Sequence, residues 1–220
     1  MRIHTLLAIL LAVVFAPLST LSAAEGDYLL RVGASNLDPD DPNGSILSLD
    51  INVDDAWSMT FTGEWMWKKN WGIEVLAAYP FEHDISVQGL GTVGSTKHLP
   101  PTLSLNYHFL PDTKFDPYLG AGVNYTIFFD ADSKGALARD GSGGSLDVDD
   151  NSFGLAAQIG ADWFINDKWF VNFNLRYIDI DTEAKVTLAP DSAIVPGGGS
   201  VKPDVDIDPW IYGVHVGYRF

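Results

Sequence analysis

PWIYGVHVGYRF, residues 209–220, ends the chain and decides how the rest of it is read. Trp210, Tyr212, Val214, Val216, Tyr218 and Phe220 lie on one side of a period-2 alternation, and all are apolar or aromatic. Ile211, Gly213, His215, Gly217 and Arg219 lie on the other, mostly small or polar. Successive side chains of a strand point to opposite faces, so this stretch is a strand with one greasy face and one small or polar face. Such a strand suits the wall of a barrel set in lipid.

Working outward from it, seven earlier segments repeat the pattern. Residues 27–36 set Tyr28, Leu30, Val32 and Ala34 against Arg31, Gly33 and Ser35. In residues 56–68, Trp57, Met59, Phe61, Trp65 and Trp67 oppose Ser58, Thr60, Thr62 and Glu64. The third segment, from Trp71 to Tyr79, places Gly72, Glu74, Leu76 and Ala78 on the second face. Residues 99–109, 117–129, 153–163 and 169–177 alternate likewise, with Asp162 and Arg176 on the second face of the last two. The connections alternate too. Those at 68–70, 110–116 and 166–168 are short, whereas 37–55, 82–98, 130–151 and 178–208 read as long loops. The pattern predicts an all-β fold: an eight-stranded antiparallel transmembrane β-barrel with short periplasmic turns and long extracellular loops. An even strand number puts both termini in the periplasm, and the first strand is expected to pair with the last.

Tryptophan placement separates this from a soluble barrel. Trp65, Trp67, Trp71, Trp163 and Trp169 flank short turns, Trp57 and Trp210 flank long loops, and all share the apolar parity. Interfacial aromatic girdles fall there. A lipocalin-like barrel would turn its apolar parity inward, with no reason to face Trp outward at both strand ends.

The start of the chain has another purpose. Met1-Arg2, the apolar run Leu6 to Phe15 and the small residues Ser22-Ala23-Ala24 read as a secretory signal peptide over residues 1–24, leaving a single domain over 25–220. No cysteine is present despite that oxidising address, so stability must come from strand pairing and burial. A formal charge of −16 repels phosphate backbones, which excludes nucleic acid as a partner.

At this point the residues acquire a family. LAAYPFEHDI (76–85), KHLPPTLSLNYHF (97–109), PYLGAGVNYTIFFD (117–130), YIDIDT (177–182) and DPWIYGVHVGYRF (208–220) closely resemble the OmpW family, which includes OprG and the alkane-utilisation protein AlkL. The resemblance spans nearly the whole mature chain in order and spacing, and is poor in the long loops. It implies a Gram-negative outer-membrane barrel that carries small hydrophobic molecules passively inward. In that picture they leave sideways into the bilayer through a gap in the wall. It also matches Leu76 to a leucine at the family's internal constriction, where Arg176 stands in place of an aromatic partner. The terminal Phe220 is the kind of signal that barrel assembly machinery reads.

Eight strands enclose little more than their own side chains. Arg31, Glu64, Glu74, Asp162, Arg176 and Arg219 take the inward parity and are expected to pair into a polar plug. Such charges also serve simply to fill and stabilise a narrow interior. On either account straight-through passage is blocked. Pro80, Pro100 and Pro101 then matter, because proline gives no amide to a ladder and pairing between the third and fourth strands should fail there. They are the expected lateral opening, unless they only end the strands above the membrane.

Clusters at Asp38, Asp40 and Asp41, at Asp50, Asp54 and Asp55, at Asp147, Asp149 and Asp150, and at Asp204, Asp206 and Asp208 crowd the loops. They suit divalent ions bridging to lipopolysaccharide or a plain solvated face, and none has the Gly and Glu positions of an EF-hand. No metal site and no cofactor are expected. Leu47, Leu49 and Ile51 alternate with Ser48 and Asp50, as in a hairpin with an apolar lining that serves as a solute mouth. Two other classes stay open: a structural or receptor barrel without transport, and a lipid-modifying enzyme using His108 or His215.

Overall fold

In lipid every backbone amide and carbonyl must find a partner within the chain, so each wall strand needs neighbours on both edges. The computed structural model meets that condition around the ring except between residues 77–80 and 99–101. It describes residues 26–46, 48–135, 144–148, 151–188 and 198–220; the expected signal peptide and Leu47 lie outside the described residues. In chain order the strands begin with β1 (Tyr28–Asp38), β2 (Gly44–Ile46), β3 (Leu49–Val53), β4 (Ala56–Lys68) and β5 (Trp71–Ala78). They continue with β6 (Phe81–Val87), β7 (Gly91–Leu99), β8 (Thr102–His108), β9 (Phe115–Ser133), β10 (Ser145–Val148) and β11 (Asn151–Phe164). The last are β12 (Trp169–Ile178), β13 (Asp181–Leu188), β14 (Gly199–Val201), β15 (Asp204–Asp206) and β16 (Trp210–Arg219).

Eight of these form a closed antiparallel ring in the order β16, β1, β4, β5, β8, β9, β11, β12 and back to β16. The expected seam is present. β1 and β16 pair from Leu29 opposite Arg219 to Asp38 opposite Trp210, and the Phe220 amide donates to the Tyr28 carbonyl at 2.9 Å. Outward positions are apolar and exposed, among them Trp57, Phe61, Trp65, Leu103, Leu119, Trp163, Trp169, Val214 and Val216. Inward positions are polar or small. Gly72 and Gly120 are small by necessity: a Cβ on the first would overlap the Glu64 carboxylate, and one on the second would overlap Asn106 and Gln158.

The long loops depart from expectation. Residues 82–98, read as a Gly-rich loop, are the hairpin β6–β7, turned at Gly89 and Gly91, which both have positive φ. The segment 37–55 holds the hairpin β2–β3, 130–151 holds the top of β9 and β10, and 178–208 holds β13 to β15. Together they build a second tier. Its order runs from β9 through β7, β6, β3, β2, β15 and β13 to β10. β10 returns beside the top of β9, where the Leu146 amide donates to Ser133 Oγ at 2.9 Å. This collar inverts the wall, with Ile46, Ile51, Val53, Ile85, Val87, Val93, Leu146, Val186, Val205 and Ile207 turned into an apolar core. Above the lipid the outside faces water, so the alternation that buries apolar surface must reverse. On the third strand the reversal happens at Pro80: buried positions are even-numbered up to Ala78 and odd-numbered from Phe81. One residue of slip flips every later side chain to the other face.

Candidate functional site

Inside the wall, Arg31 on β1 holds the centre of a buried network. Its Nη2 and Nε donate to the two Asp162 oxygens at 2.7 and 3.1 Å, and its Nη1 reaches Glu74 at 3.2 Å. Glu64 lies 2.9 Å away. Arg176 on β12 donates to Glu74 and to Gln158 Oε1 at 2.7 and 2.6 Å. Glu64 also accepts from Asn106 at 2.9 Å and faces His108 at 3.0 Å; the other His108 nitrogen faces Asp116 at 2.7 Å. Buried charges are tolerable only when paired in this way. The structure thus brings Arg31, Glu64, Glu74, Asp162 and Arg176 together.

Arg219 does not join. It pairs with Asp27 at 2.8 Å and lies over the Phe164 ring. As the last inward residue of the closing strand it stands at the periplasmic rim. A small apolar cluster of Leu29, Met66, Phe164 and Phe170 packs at that end of the wall. Its assignment to the plug is corrected accordingly.

Leu76 and Arg176 share the lining of a cavity of about 10 Å³, with Phe81, Thr60, Tyr118 and His215. That is room for about one water. His215 sits in a relay: Ser35 and Thr60 hydroxyls are 2.7 Å apart, Thr60 is 2.8 Å from His215, and His215 is 3.2 Å from Asn172, which donates to Asp162. Every member is buried, as is His108, so neither imidazole is exposed at the outer surface of the wall.

Above this cavity the wall is interrupted on one side. The β5–β8 ladder ends at Leu76 opposite Thr102, and the β6–β7 ladder starts at Phe81 opposite His98. Residues 77–80 and 99–101 lie between, with no ladder pairing across. Pro80 is on one side, Pro100 and Pro101 on the other. Their outer edges stay joined: the Tyr79 amide donates to the Met59 carbonyl at 2.8 Å, and the Tyr125 amide to the Pro101 carbonyl at 3.0 Å. The break therefore lies between β5 and β8 alone at this level.

The collar encloses a cavity of about 50 Å³, lined by Leu49 and Ile51 as the alternation of the first loop predicts, and by Val53, Ile85, Val87, Phe128, Leu146 and Val205. Two histidines also line it. His83 and His98 stack with ring centroids 4.9 Å apart, flanked by Phe81 and Phe128. Burial holds both below the usual histidine pKa, and His83 adds to the effect on His98. Sequence reasoning missed them because it read their hairpin as a loop. The signal was present in FEHDISV (81–87), where Phe81, His83, Ile85 and Val87 alternate with polar residues.

Of the acidic loop residues, Asp208 comes within 4.8 Å of Asp179 and Asp181, measured between carboxylate oxygens. Burial and these like charges raise the Asp181 pKa. Asp208 Oδ1 accepts from the Ile180 amide at 3.0 Å, which gives the group a structural task.

With an eight-stranded lipid-facing barrel in view, comparison with known proteins fixes the family. Its sequence profile, the OmpW family, matches residues 24–220. The chain belongs to the OmpW family. It is 37% identical to outer membrane protein W of Vibrio cholerae over 222 residues, covering 97% of each chain. The crystal structure of OprG from Pseudomonas aeruginosa superposes with a TM-score of 0.80 at 36% identity, over 89% of this chain and 96% of that one. A more distant relative is the dibenzothiophene metabolism operon protein PahQ of Pseudomonas aeruginosa, 28% identical over 90% of each chain. As a member of this family the protein is an integral β-barrel of the Gram-negative outer membrane, in contact with the lipid bilayer.

Proposed function

We propose that the protein is a passive channel for small hydrophobic molecules. They enter the apolar cavity of the collar from outside and leave sideways into the bilayer between β5 and β8. The observation that carries this reading is the coincidence of three features along one path. An apolar cavity lies above, an ion-paired interior closes the way below, and the ladder breaks at Pro80, Pro100 and Pro101 between them. Water does not solvate an apolar solute well, and the ion-paired lumen offers it no room, so the break is the outlet of least cost. Leu76, beneath the break, and Arg176 beside it form the constriction that keeps solute from going deeper. A relative named for a dibenzothiophene metabolism operon agrees with an apolar, aromatic cargo.

In the same reading, lipopolysaccharide meets the acidic outer loops through divalent ions, and assembly machinery engages the strand ending in Phe220. The test is n-octane uptake into proteoliposomes. Replacing Pro100 and Pro101 by valine restores a ladder donor facing the break at residue 100 and one facing β9 at residue 101, and should slow protein-dependent uptake without unfolding the barrel. Unchanged uptake in that variant defeats the lateral route. Uptake equal with and without the protein defeats transport altogether and leaves a structural or receptor barrel.

A further inference from the structure

The collar cavity is apolar except at one place. His83 Nε2, both nitrogens of His98, Thr96 Oγ1 and Thr182 Oγ1 are buried with no hydrogen-bond partner, and all four side chains line the cavity. Buried polar atoms are nearly always paired in folded proteins, and each one left unmet is costly. Four such side chains around one cavity point to a ligand group that pairs with several of them; a single hydroxyl, donating once and accepting twice, meets at most three of the five atoms.

The chemistry of that ligand follows from what each group offers. His83 Nδ1 lies 2.6 Å from the Asp54 carbonyl, an oxygen that only accepts, so Nδ1 carries the proton and Nε2 presents a lone pair. His98, with both nitrogens free, presents one N–H and one lone pair; the two threonine hydroxyls do both. A group that donates and accepts at once is therefore required. A bare hydrocarbon does neither. A carboxylate only accepts, and no lysine or arginine lines the cavity to balance its charge. A hydroxyl does both without charge.

Position adds a reason for it. His98 stacks against Phe81 with ring centroids 5.7 Å apart, and these two residues form the first pair above the ladder break. Phe81 also lines the small cavity below. Solute crossing from the collar to the break passes this stack.

We propose that His83, His98, Thr96 and Thr182 form a subsite for one uncharged hydroxyl, so that the preferred solute is a hydrocarbon bearing a single alcohol or phenol group. The subsite rests on the transport reading only for its purpose, since binding is measured without passage. The full chain in lipid nanodiscs is titrated at pH 7.5 with 1-octanol, 1-chlorooctane and octanoate, with imidazole ¹⁵N shifts as the readout and affinities corrected for lipid partitioning. We expect 1-octanol to bind about tenfold tighter than 1-chlorooctane, the worth of one to two net hydrogen bonds. Octanoate should bind weakest. H98F should abolish the preference while leaving 1-chlorooctane binding in place; if that variant does not fold, the pair T96V and T182V carries the same expectation. Equal binding of alcohol and chloroalkane, or a preference that survives these substitutions, overturns the subsite. Selective octanol binding without protein-dependent uptake would remove the transport reading and keep the subsite, whereas equal uptake and equal binding of both solutes would do the reverse.

Discussion

Arg31 in the wall and Ile51 in the collar are both almost completely enclosed, yet they are held by opposite means. Arg31 is surrounded by three carboxylates, Ile51 by aliphatic side chains and an apolar cavity. The wall faces lipid, so its apolar residues are used on the outside and its interior is left to polar groups that must satisfy one another. The collar faces water, so its apolar residues are free to line the inside. One chain thus makes two stacked interiors of opposite character, with the change of parity at Pro80 on the side where the ladder breaks.

The sharpest way to break this comparison is to remove the ion that organises the lower interior. Arg31→Met leaves Glu64, Glu74 and Asp162 facing one another, with Arg176 on Glu74 and His108 on Glu64 as the remaining basic partners. Loss of one partner of a buried ion pair costs about 3–5 kcal/mol, and we expect a deficit of at least that order in urea unfolding from micelles. Collapse should include the wall itself. A variant as stable as the parent would mean that the network only fills space.

Ile51→Asn applies a comparable insult to the upper interior. An amide there has no partner, at a cost of about 1–3 kcal/mol. Because β3 pairs with β2 and β6 alone among the described residues, the damage should stay in the collar. Hydrogen exchange should speed in β3 and β6 while β1 and β16 keep their protection, and uptake of n-octane should fall. Loss of protection in the wall would show that the two tiers fold as one unit.

Legibility in the sequence followed the same division. The wall was readable because its strands run 7 to 19 residues with lipid enforcing a continuous outward stripe. DPWIYGVHVGYRF pointed to the class, and seven further stretches of the same alternation settled it. The collar was harder because several of its strands are only three to five residues long, such as β2, β3, β14 and β15. Its glycines read as loop, and its parity is shifted by one residue at Pro80. The prolines could be placed from sequence because their missing amide is a local property. Arg219 was misplaced because parity tells which face a residue takes and nothing about its depth. The histidine pair needed the hairpin first: His83 and His98 are 15 positions apart and meet only when Phe81 pairs with His98 and His83 with Thr96.

The smallest expected effect is a pH dependence confined to the collar. His83 and His98 are held below the ordinary histidine value of 6.5 chiefly by burial, against the opposing pull of Asp54 and Asp55 on His83. The unfolded collar therefore binds protons at a higher pH than the folded one. The stability these neutral histidines provide is complete above the ordinary value and is lost as the pH falls toward their folded values. The slope cannot exceed about 1.4 kcal/mol per pH unit for each histidine. Between pH 7.5 and 5.5, β6 and β7 should lose amide protection, after correction for intrinsic exchange, while β1 and β16 do not. Replacing both histidines by phenylalanine should flatten the difference. Protection lost equally in both tiers would place the titrating groups in the wall and end the separation of the two interiors.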